Sequence, residues 1–563
     1  MAKIFKLDIK NFRGIKNFSC TFNDLNLICF VGRGDSGKTT ILNAIYYVLN
    51  PNWNLVFYDT DFYNCNTDNP IEIETTLIDL PPELLTEDKY GLHIRGIDKI
   101  NKKIEDDLKD DYEKALTIKL EVKKDLEPKW YVINSRQESQ TLISAYDRKK
   151  LNTFMISDYL DIHFSWRNGS PLYSLLKNQY SDMSEDTILS DINREVKEKI
   201  DNYPFEQFKN IINNITKEAE YLGITINDIS TSIDFKDISI NEGKLSLHQD
   251  KIPLRLKGKG TKRLLSIAIQ MELVKSGGII LIDEIEQGLE PDRIKNMIRS
   301  LYGNTKGQIF IATHSQGVIE ELEVKNIFLI NKSGEDQTKC KNINENFQNI
   351  IRACPEAIYA KKVIVCEGKT EIGICRALDS FRIKNKKPNL SALDIVYIDG
   401  NGDNFHDRAC KLKELGLDTC VVCDSDKDNE IINKKEEMLN KGIIIFDWDD
   451  NNSIEQQVFN DLPWEGIKEL LEYIKSEKNL SETSLKNYIQ NELSNDLDVN
   501  WKENDSIEIR NAFGKIAKGK NWFKRIDHGE FLGNIIFDYF DQIKDKKLGT
   551  QLKSLLDWTE RYE

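Results

Sequence analysis

The residues Gly32-Arg33-Gly34-Asp35-Ser36-Gly37-Lys38-Thr39 fit the spacing G-x-x-x-x-G-K-[ST], and Thr40 opens the run that follows. That spacing suits a polyphosphate. Glycines let consecutive backbone N–H groups turn toward one anion, and the start of the next helix adds positive potential. Gly32, Gly34, Ser36, Gly37, Lys38, Thr39 and Thr40 are therefore candidate nucleotide contacts, with Lys38 reaching the β/γ-phosphates and Thr39 ligating Mg²⁺. An apolar run over 25–31 predicts a buried strand before the loop, and 40–49 predicts a helix after it. A second apolar strand over 278–282 ends in Asp283 and Glu284. Asp283 is placed to hold the Mg²⁺ water shell and Glu284 to polarise an attacking water. A third strand, 308–313, delivers His314 to the γ-phosphate side. ATP with Mg²⁺ is the cofactor this order implies.

A different chemistry is spelled out further along. Three short apolar strands end in acids: 361–366 in Glu367, 394–398 in Asp399-Gly400, and 419–423 in Asp424-Ser425-Asp426-Lys427-Asp428. Strands alternating with helices predict a parallel α/β sheet, whose ligands gather at the carboxyl ends of its strands. Glu367, Asp424 and Asp426 fall there. Clustered carboxylates repel, so a cation is needed to hold them together, and an all-oxygen set suits Mg²⁺ (or Mn²⁺).

The elements that must carry these residues fit a chain of 563 residues, enough for about two to four domains. The region 183–222 reads as amphipathic helix, either packed into the core or forming a dimerisation insertion within about 150–230. Net charge is −15, from 78 Lys and Arg against 93 Asp and Glu, which argues against a surface coated in nucleic acid but leaves room for a local basic groove. No apolar run reaches the ~18 residues needed to cross a membrane. The N-terminus enters a strand-like alternation with no signal-peptide pattern. The ten cysteines are scattered, and the expectation is reduced thiols in a cytoplasmic protein. The pair Cys420 and Cys423 lacks a second pair for zinc and reads as buried strand cysteines.

The order P-loop, Gly258–Arg263, Asp283-Glu284, Gly288-Leu289-Glu290-Pro291 and His314 resembles the ABC/SMC-type ATPase heads over about residues 1–335. In those heads ATP is sandwiched between two copies, the P-loop of one facing the signature loop of the other. Here the signature position, 258–263, departs from the usual Leu-Ser-Gly-Gly-Gln. No heptad arms interrupt the head, which excludes a full SMC rod. The acidic sheet resembles the Toprim domain over 356–465. A head followed by Toprim resembles the OLD (overcoming lysogenization defect) family of nucleases, and the nuclease subunit of Gabija antiphage systems and some retron effectors belong to the same group. Asn11-Phe12-Arg13-Gly14 and Val365-Cys366-Glu367-Gly368 also fit it.

The resemblance implies a fold, a reaction and a site. The expected fold class is α/β: an ABC/SMC-like head with a helical insertion, a Toprim-like parallel sheet, and a helical C-terminal region, 466–563, completing the nuclease site. The expected reaction is metal-dependent DNA cleavage with two cations held by Glu367, Glu371, Asp424 and Asp426, and by a later acid for which Glu455 is the candidate. A basic residue near the C-terminus neutralises the cleaved phosphate in that family; Lys518, Lys520 and Lys524 are available, and Lys520 is favoured. Expected partners are DNA, a second copy of the chain in a homodimer or larger assembly, and a helicase or a reverse transcriptase with its nucleic acid. Two other readings remain open from the residues: an ATP-driven DNA clamp whose Toprim fold only binds, and a non-catalytic scaffold.

Overall fold

The computed structural model describes residues 2–98, 101–137, 140–156, 160–166, 170–179, 194–195, 198–199, 246–249, 252–274, 277–303, 307–333, 337–425, 429–448, 452–493, 501–503 and 505–561. Asp426, Asp428 and nearly all of the region 183–222 lie outside the described residues, while Thr153–Ile156, at the start of the expected insertion, is a strand of the head sheet. The chain divides into two compact units, residues 1–318 with 326–341, and 319–325 with 342–563.

The first unit is built on one mixed sheet of 14 strands among the described residues. Its parallel half runs in the order Thr153–Ile156, Ile279–Ile282, Gln308–Thr313, Leu27–Val31, Ile327–Ser333. Every residue of Leu27–Val31, Ile279–Ile282 and Gln308–Thr313 is buried. Such continuous burial is why these segments read as unbroken apolar runs, as strands covered on both faces do. Because the three are parallel, their carboxyl ends share one edge, where the P-loop, Asp283-Glu284 and His314 emerge. The other half is an antiparallel meander in which Lys3–Phe12 pairs with both Ile15–Thr21 and Ile71–Ile78. Its first strand shows the partial alternation of a sheet with one wetter face.

One feature of this unit departs from expectation, and another shows how a buried amide is satisfied. Cys20 and Cys340 are joined as a disulfide rather than kept as thiols. The cause is register: Gln337–Asn342 runs parallel to Ile15–Thr21 with Gln337 opposite Asn17, so the two cysteines stand at the same offset from that pair. Gln308, polar and fully buried, is paired on both sides of its amide. It accepts from the Ile4 N–H at 2.7 Å and donates to the Ile4 and Leu25 carbonyls at 3.0 Å each.

The second unit contains a four-stranded, all-parallel sheet in the order Ile395–Asp399, Lys362–Cys366, Asp418–Val422, Ile444–Phe446. Helices Lys369–Lys384, Phe405–Glu414 and Asn429–Asn440 connect the strands. The expected boundary near residue 465 does not separate two cores. One apolar cluster runs from Ile364 and Val422 in the sheet through Phe459 and Leu471 to Phe513, Leu532 and Trp558 in the C-terminal helices. Helix Lys369–Lys384 crosses helix Ile526–Asp538 at backbone contact: a Cβ on Gly373 would collide with the backbone of Ile526 and Glu530, and one on Gly529 with that of Thr370. Glycine is required there because nothing larger fits between two helix backbones. Cys420 and Cys423 are fully buried, as their setting in an apolar strand predicts. Among the described residues no helix is long and apolar enough to cross a membrane.

Candidate functional sites: a nucleotide loop and a carboxylate cluster

The P-loop is closed on itself. A Cβ on Gly32 would strike the Ile330 carbonyl oxygen of the neighbouring strand, and Gly37 sits at φ +100°, so both positions demand glycine. Lys38 is 5% exposed and donates to the Gly32 and Arg33 carbonyls at 2.8 Å and to Ser36 Oγ at 3.3 Å. Burial pushes its ammonium down to about 8, against the pull of Asp283, Glu286 and Asp35. Thr39 Oγ1 donates to Asp283 Oδ1 at 3.2 Å. Two residues 244 positions apart thus meet beside the loop, and their oxygens are of the kind that could hold a divalent cation next to a bound polyphosphate. Ser36 is buried beside Lys38, Thr39 is exposed, Gly34 faces open space, and Thr40 begins the body of helix Lys38–Leu49.

The far wall of this edge is braced by a residue that sequence reasoning missed. Glu286 accepts from Thr313 Oγ1 and from the His314 N–H, both at 2.7 Å, and so fixes the turn that presents His314. An acid two positions after the Asp-Glu pair was the available signal. His314 is pushed below its ordinary range by burial and by Lys38. Glu284 has a left-handed backbone, φ 46°, and Arg263 donates to the carbonyls of both Asp283 and Glu284. Arg263 is buried, and a Cβ on Gly260 would strike the Gly288 carbonyl, so the signature-position helix Lys259–Val274 is keyed onto the turn that carries Glu284. Arg13 is anchored by Asp61 at 2.8 Å and Tyr47 at 3.2 Å. Replacing Lys38 with Ala should weaken ATP binding by at least about thirtyfold, the effect of removing one partner of a desolvated charge pair. Isothermal titration reads this directly, and an unchanged affinity would remove Lys38 from the site.

In the second unit the sheet brings four carboxylates together. Glu367 follows the central strand, and its Oε2 accepts from the Asp424 N–H at 2.8 Å. Asp424 Oδ1 accepts from the Ile454 N–H at 2.7 Å, which draws in the helix Ile454–Asp461 and with it Glu455. Glu371, one turn into helix Lys369–Lys384, accepts from the Gly368 N–H at 2.9 Å. Burial, then the charges of Asp424 and Glu367, raise the Glu371 carboxyl to about 8; burial, then Glu367 and Glu455, raise Asp424 to about 7. Glu455 is fully buried, and neither of its oxygens has a hydrogen-bond partner. Closely grouped, largely buried, surrounded by like charge and with both Glu455 oxygens free of hydrogen bonds, this set fits divalent cations with oxygen coordination. Lys435 supports the arrangement from outside, donating to the Asp424 carbonyl at 2.9 Å and to Asp447 at 3.1 Å.

The basic residue that faces the cluster is Lys524, not Lys520. Lys524 Nζ lies 3.8 Å from Glu455 Oε1. Burial would lower its ammonium, but Glu455, Glu371, Asp424 and Glu367 together hold it above its ordinary range. Lys520 caps the C-terminus of helix Ile507–Gly519, and its Nζ rests 4.8 Å above the Tyr488 ring. Trp522 and Phe523 are buried, and the Phe523 carbonyl accepts from Thr370 Oγ1 at 3.0 Å, which delivers the next residue to the carboxylates.

Taken together, a phosphate loop facing a Walker-type acid and a cluster of acids at the ends of parallel strands define an ATPase joined to a Toprim-type nuclease fold. The chain matches the AAA ATPase domain family over residues 2–319, more than half its length, and the overcoming lysogenization defect protein-like TOPRIM domain over 358–426. It belongs to that AAA ATPase domain family and is an OLD-family ATPase–Toprim fusion. No curated protein matches its sequence. Similar solved structures include an SMC head bound to the C-terminal winged-helix domain of ScpA, at 16% identity and TM-score 0.36, over 61% of this chain and 97% of that one. The SMC head domain from Thermotoga maritima aligns at 15% and 0.29, over 61% and 99%. RecF with ATPγS aligns at 14% and 0.32, over 60% and 98%.

Proposed function

We propose that this chain is a metal-dependent DNA endonuclease whose activity is governed by ATP at its head, serving as an effector of antiphage defence. The observation that carries the nuclease reading is the convergence of Glu367, Glu371, Asp424 and Glu455, with neither Glu455 oxygen hydrogen-bonded and Lys524 paired with one of them across 3.8 Å. Those four acids would hold Mg²⁺ or Mn²⁺, with Asp426, two positions after Asp424 in the sequence, as a further proposed ligand. Bound there, the cations would supply charge neutralisation and activation of water for phosphodiester hydrolysis. The chain's own contribution is to fix the acids on rigid strand ends and helix starts, to exclude water from Glu455, and to aim one ammonium at the place where charge develops on the phosphate. The OLD-like Toprim match supports the substrate class and the defence role. In the head, Thr39 and Asp283 would hold Mg²⁺, Lys38 the terminal phosphates, and Glu284 the water. The exposed start of helix Lys259–Val274 would face a second copy's nucleotide in a homodimer.

Plasmid nicking with Mg²⁺ or Mn²⁺, with and without ATP, tests the proposal. Lys524→Ala should slow nicking about a hundredfold, the usual effect of removing one preorganised charge stabiliser, while Lys520→Ala stays close to wild type. The opposite ranking would return the role to Lys520.

Metal should also stabilise the second unit in a pH-dependent way. Asp424 and Glu371 are raised in the folded state, so their contribution to stability is full at acid pH and is lost as pH rises toward about 7 and about 8. Mn²⁺ relieves that loss only once the acids ionise. Its effect on the thermal midpoint should therefore be large near pH 8 and small at about pH 5, close to the unperturbed carboxyl range. Equal shifts at the two pH values would contradict the assignment.

A further inference from the structure

A second group of metal-binding side chains lies away from the carboxylate cluster. His406 and Cys410 stand one turn apart on helix Phe405–Glu414, and Glu437 reaches them from helix Asn429–Asn440. His406 Nε2 is 3.1 Å from Glu437 Oε2 and 3.7 Å from Cys410 Sγ, and the three ligand atoms lie within 4.8 Å of one another.

We propose that His406, Cys410 and Glu437 form a second cation site, one that takes Zn²⁺ or a chemically similar transition-metal ion. The donor set is one imidazole nitrogen, one thiol and one carboxylate, which suits a borderline-soft cation and not Mg²⁺. The spacing is right as well. Zinc bonds of about 2.0–2.3 Å arranged tetrahedrally put neighbouring ligand atoms about 3.3–3.6 Å apart. The His406–Glu437 and His406–Cys410 separations, 3.1 and 3.7 Å, bracket that edge. Positions i and i+4 present both helix donors on one face. Cys410 is buried, the His406 side chain is 15% exposed and Glu437 is 50% exposed, so the fourth position opens to solvent. Lys441 Nζ holds Glu437 Oε1 at 2.9 Å and Glu414 Oε1 at 3.1 Å, leaving Glu437 Oε2 turned toward His406. A partner on the non-ligating oxygen is what orients a carboxylate ligand. On binding, the thiol releases its proton to solvent.

The site would clamp two helices, one of which supports the nuclease cluster. Helix Asn429–Asn440 carries Lys435, which holds the Asp424 carbonyl. A transition metal here would therefore act on Asp424 by position and not by chemistry.

The test is Co²⁺ titration of the full-length chain after chelator treatment, read as the thiolate-to-cobalt charge-transfer band in the near ultraviolet. Co²⁺ on the oxygen-only acids produces no such band, so the readout does not depend on the nuclease assignment. Wild type should show one equivalent of the band and keep it in excess Mg²⁺. Cys410→Ser should abolish it. Glu437→Gln changes a half-exposed residue and should leave circular dichroism unaltered while weakening Co²⁺ binding at least about tenfold. Absence of the band in wild type, its survival in Cys410→Ser, or unchanged affinity in Glu437→Gln would each overturn the site.

Discussion

Glu367→Ala and Asp424→Ala should each lower plasmid cleavage by about a thousandfold or more while leaving ATP binding at wild-type affinity. Each acid ends a strand or starts a turn on one edge of a single sheet, and the Asp424 N–H is bonded to Glu367 Oε2 at 2.8 Å. Removing either leaves an incomplete oxygen set, so the several kcal/mol that a bound cation contributes to the transition state is lost. Two secondary effects help to assign a loss of cleavage. Glu367→Ala also removes the acceptor of the Asp424 N–H, so its metal affinity should fall together with its rate. Asp424→Ala removes the acceptor of the Ile454 N–H and should loosen the start of helix Ile454–Asp461, which carries Glu455. Cleavage rate, Mn²⁺ affinity and ATP affinity measured on the same preparations separate loss of metal from loss of fold. A well-folded variant that cuts at the wild-type rate would falsify the assignment of cleavage to these acids, and wild-type protein that never cuts would leave the ATP-driven clamp as the better reading.

Glu284→Gln should bind ATP normally and hydrolyse it at least about a hundredfold more slowly, the span attributed to a positioned general base. Glu284 directly follows Asp283, whose carboxylate meets Thr39 at 3.2 Å, and its left-handed backbone is held by the Arg263 guanidinium on the carbonyls of Asp283 and Glu284. The side chain is thus presented from a turn braced on both sides, next to the proposed Mg²⁺ position. A trapped ATP state should also lengthen the life of any head-to-head dimer, visible by light scattering at matched ATP concentration. Turnover at the wild-type rate would assign the water to another group, and the geometry offers His314 on the adjacent strand end.

The two candidate site edges were legible in the sequence because their signals are local. A fully buried parallel strand must be a short unbroken apolar run, and a site at its carboxyl end must be the first polar residues after it. Leu27–Val31 and Ile279–Ile282 obey this along their whole length, and Lys362–Cys366 and Asp418–Val422 do so after their opening polar residues, so Asp283, Glu367 and Asp424 could be named from strand ends and Lys38 from the glycine spacing of its loop. Glu371 entered the site through the family resemblance. Glu455 came from the family resemblance, and its full burial shows what a surface-like helix start could not.

Other features depended on contacts between distant segments. A basic run over 518–525 offers several lysines at similar spacing, and nothing local ranks them. Lys524 reaches the acids because Trp522 and Phe523 are driven into the core and Thr370, 153 positions away, holds the Phe523 carbonyl. Glu286 bonds Thr313 and His314 only because the strands before them lie side by side. Cys20 and Cys340, 320 positions apart, meet through strand register. The C-terminal helices share a core with the Toprim sheet because glycines at 373 and 529 let two helix backbones touch. The sequence by itself determined which strand ends bear phosphate-binding and acidic residues, since backbone burial writes that pattern residue by residue. Tertiary structure alone decided which lysine, which bracing acid and which cysteines join them, since those choices rest on packing between segments whose separation along the chain carries no local signal.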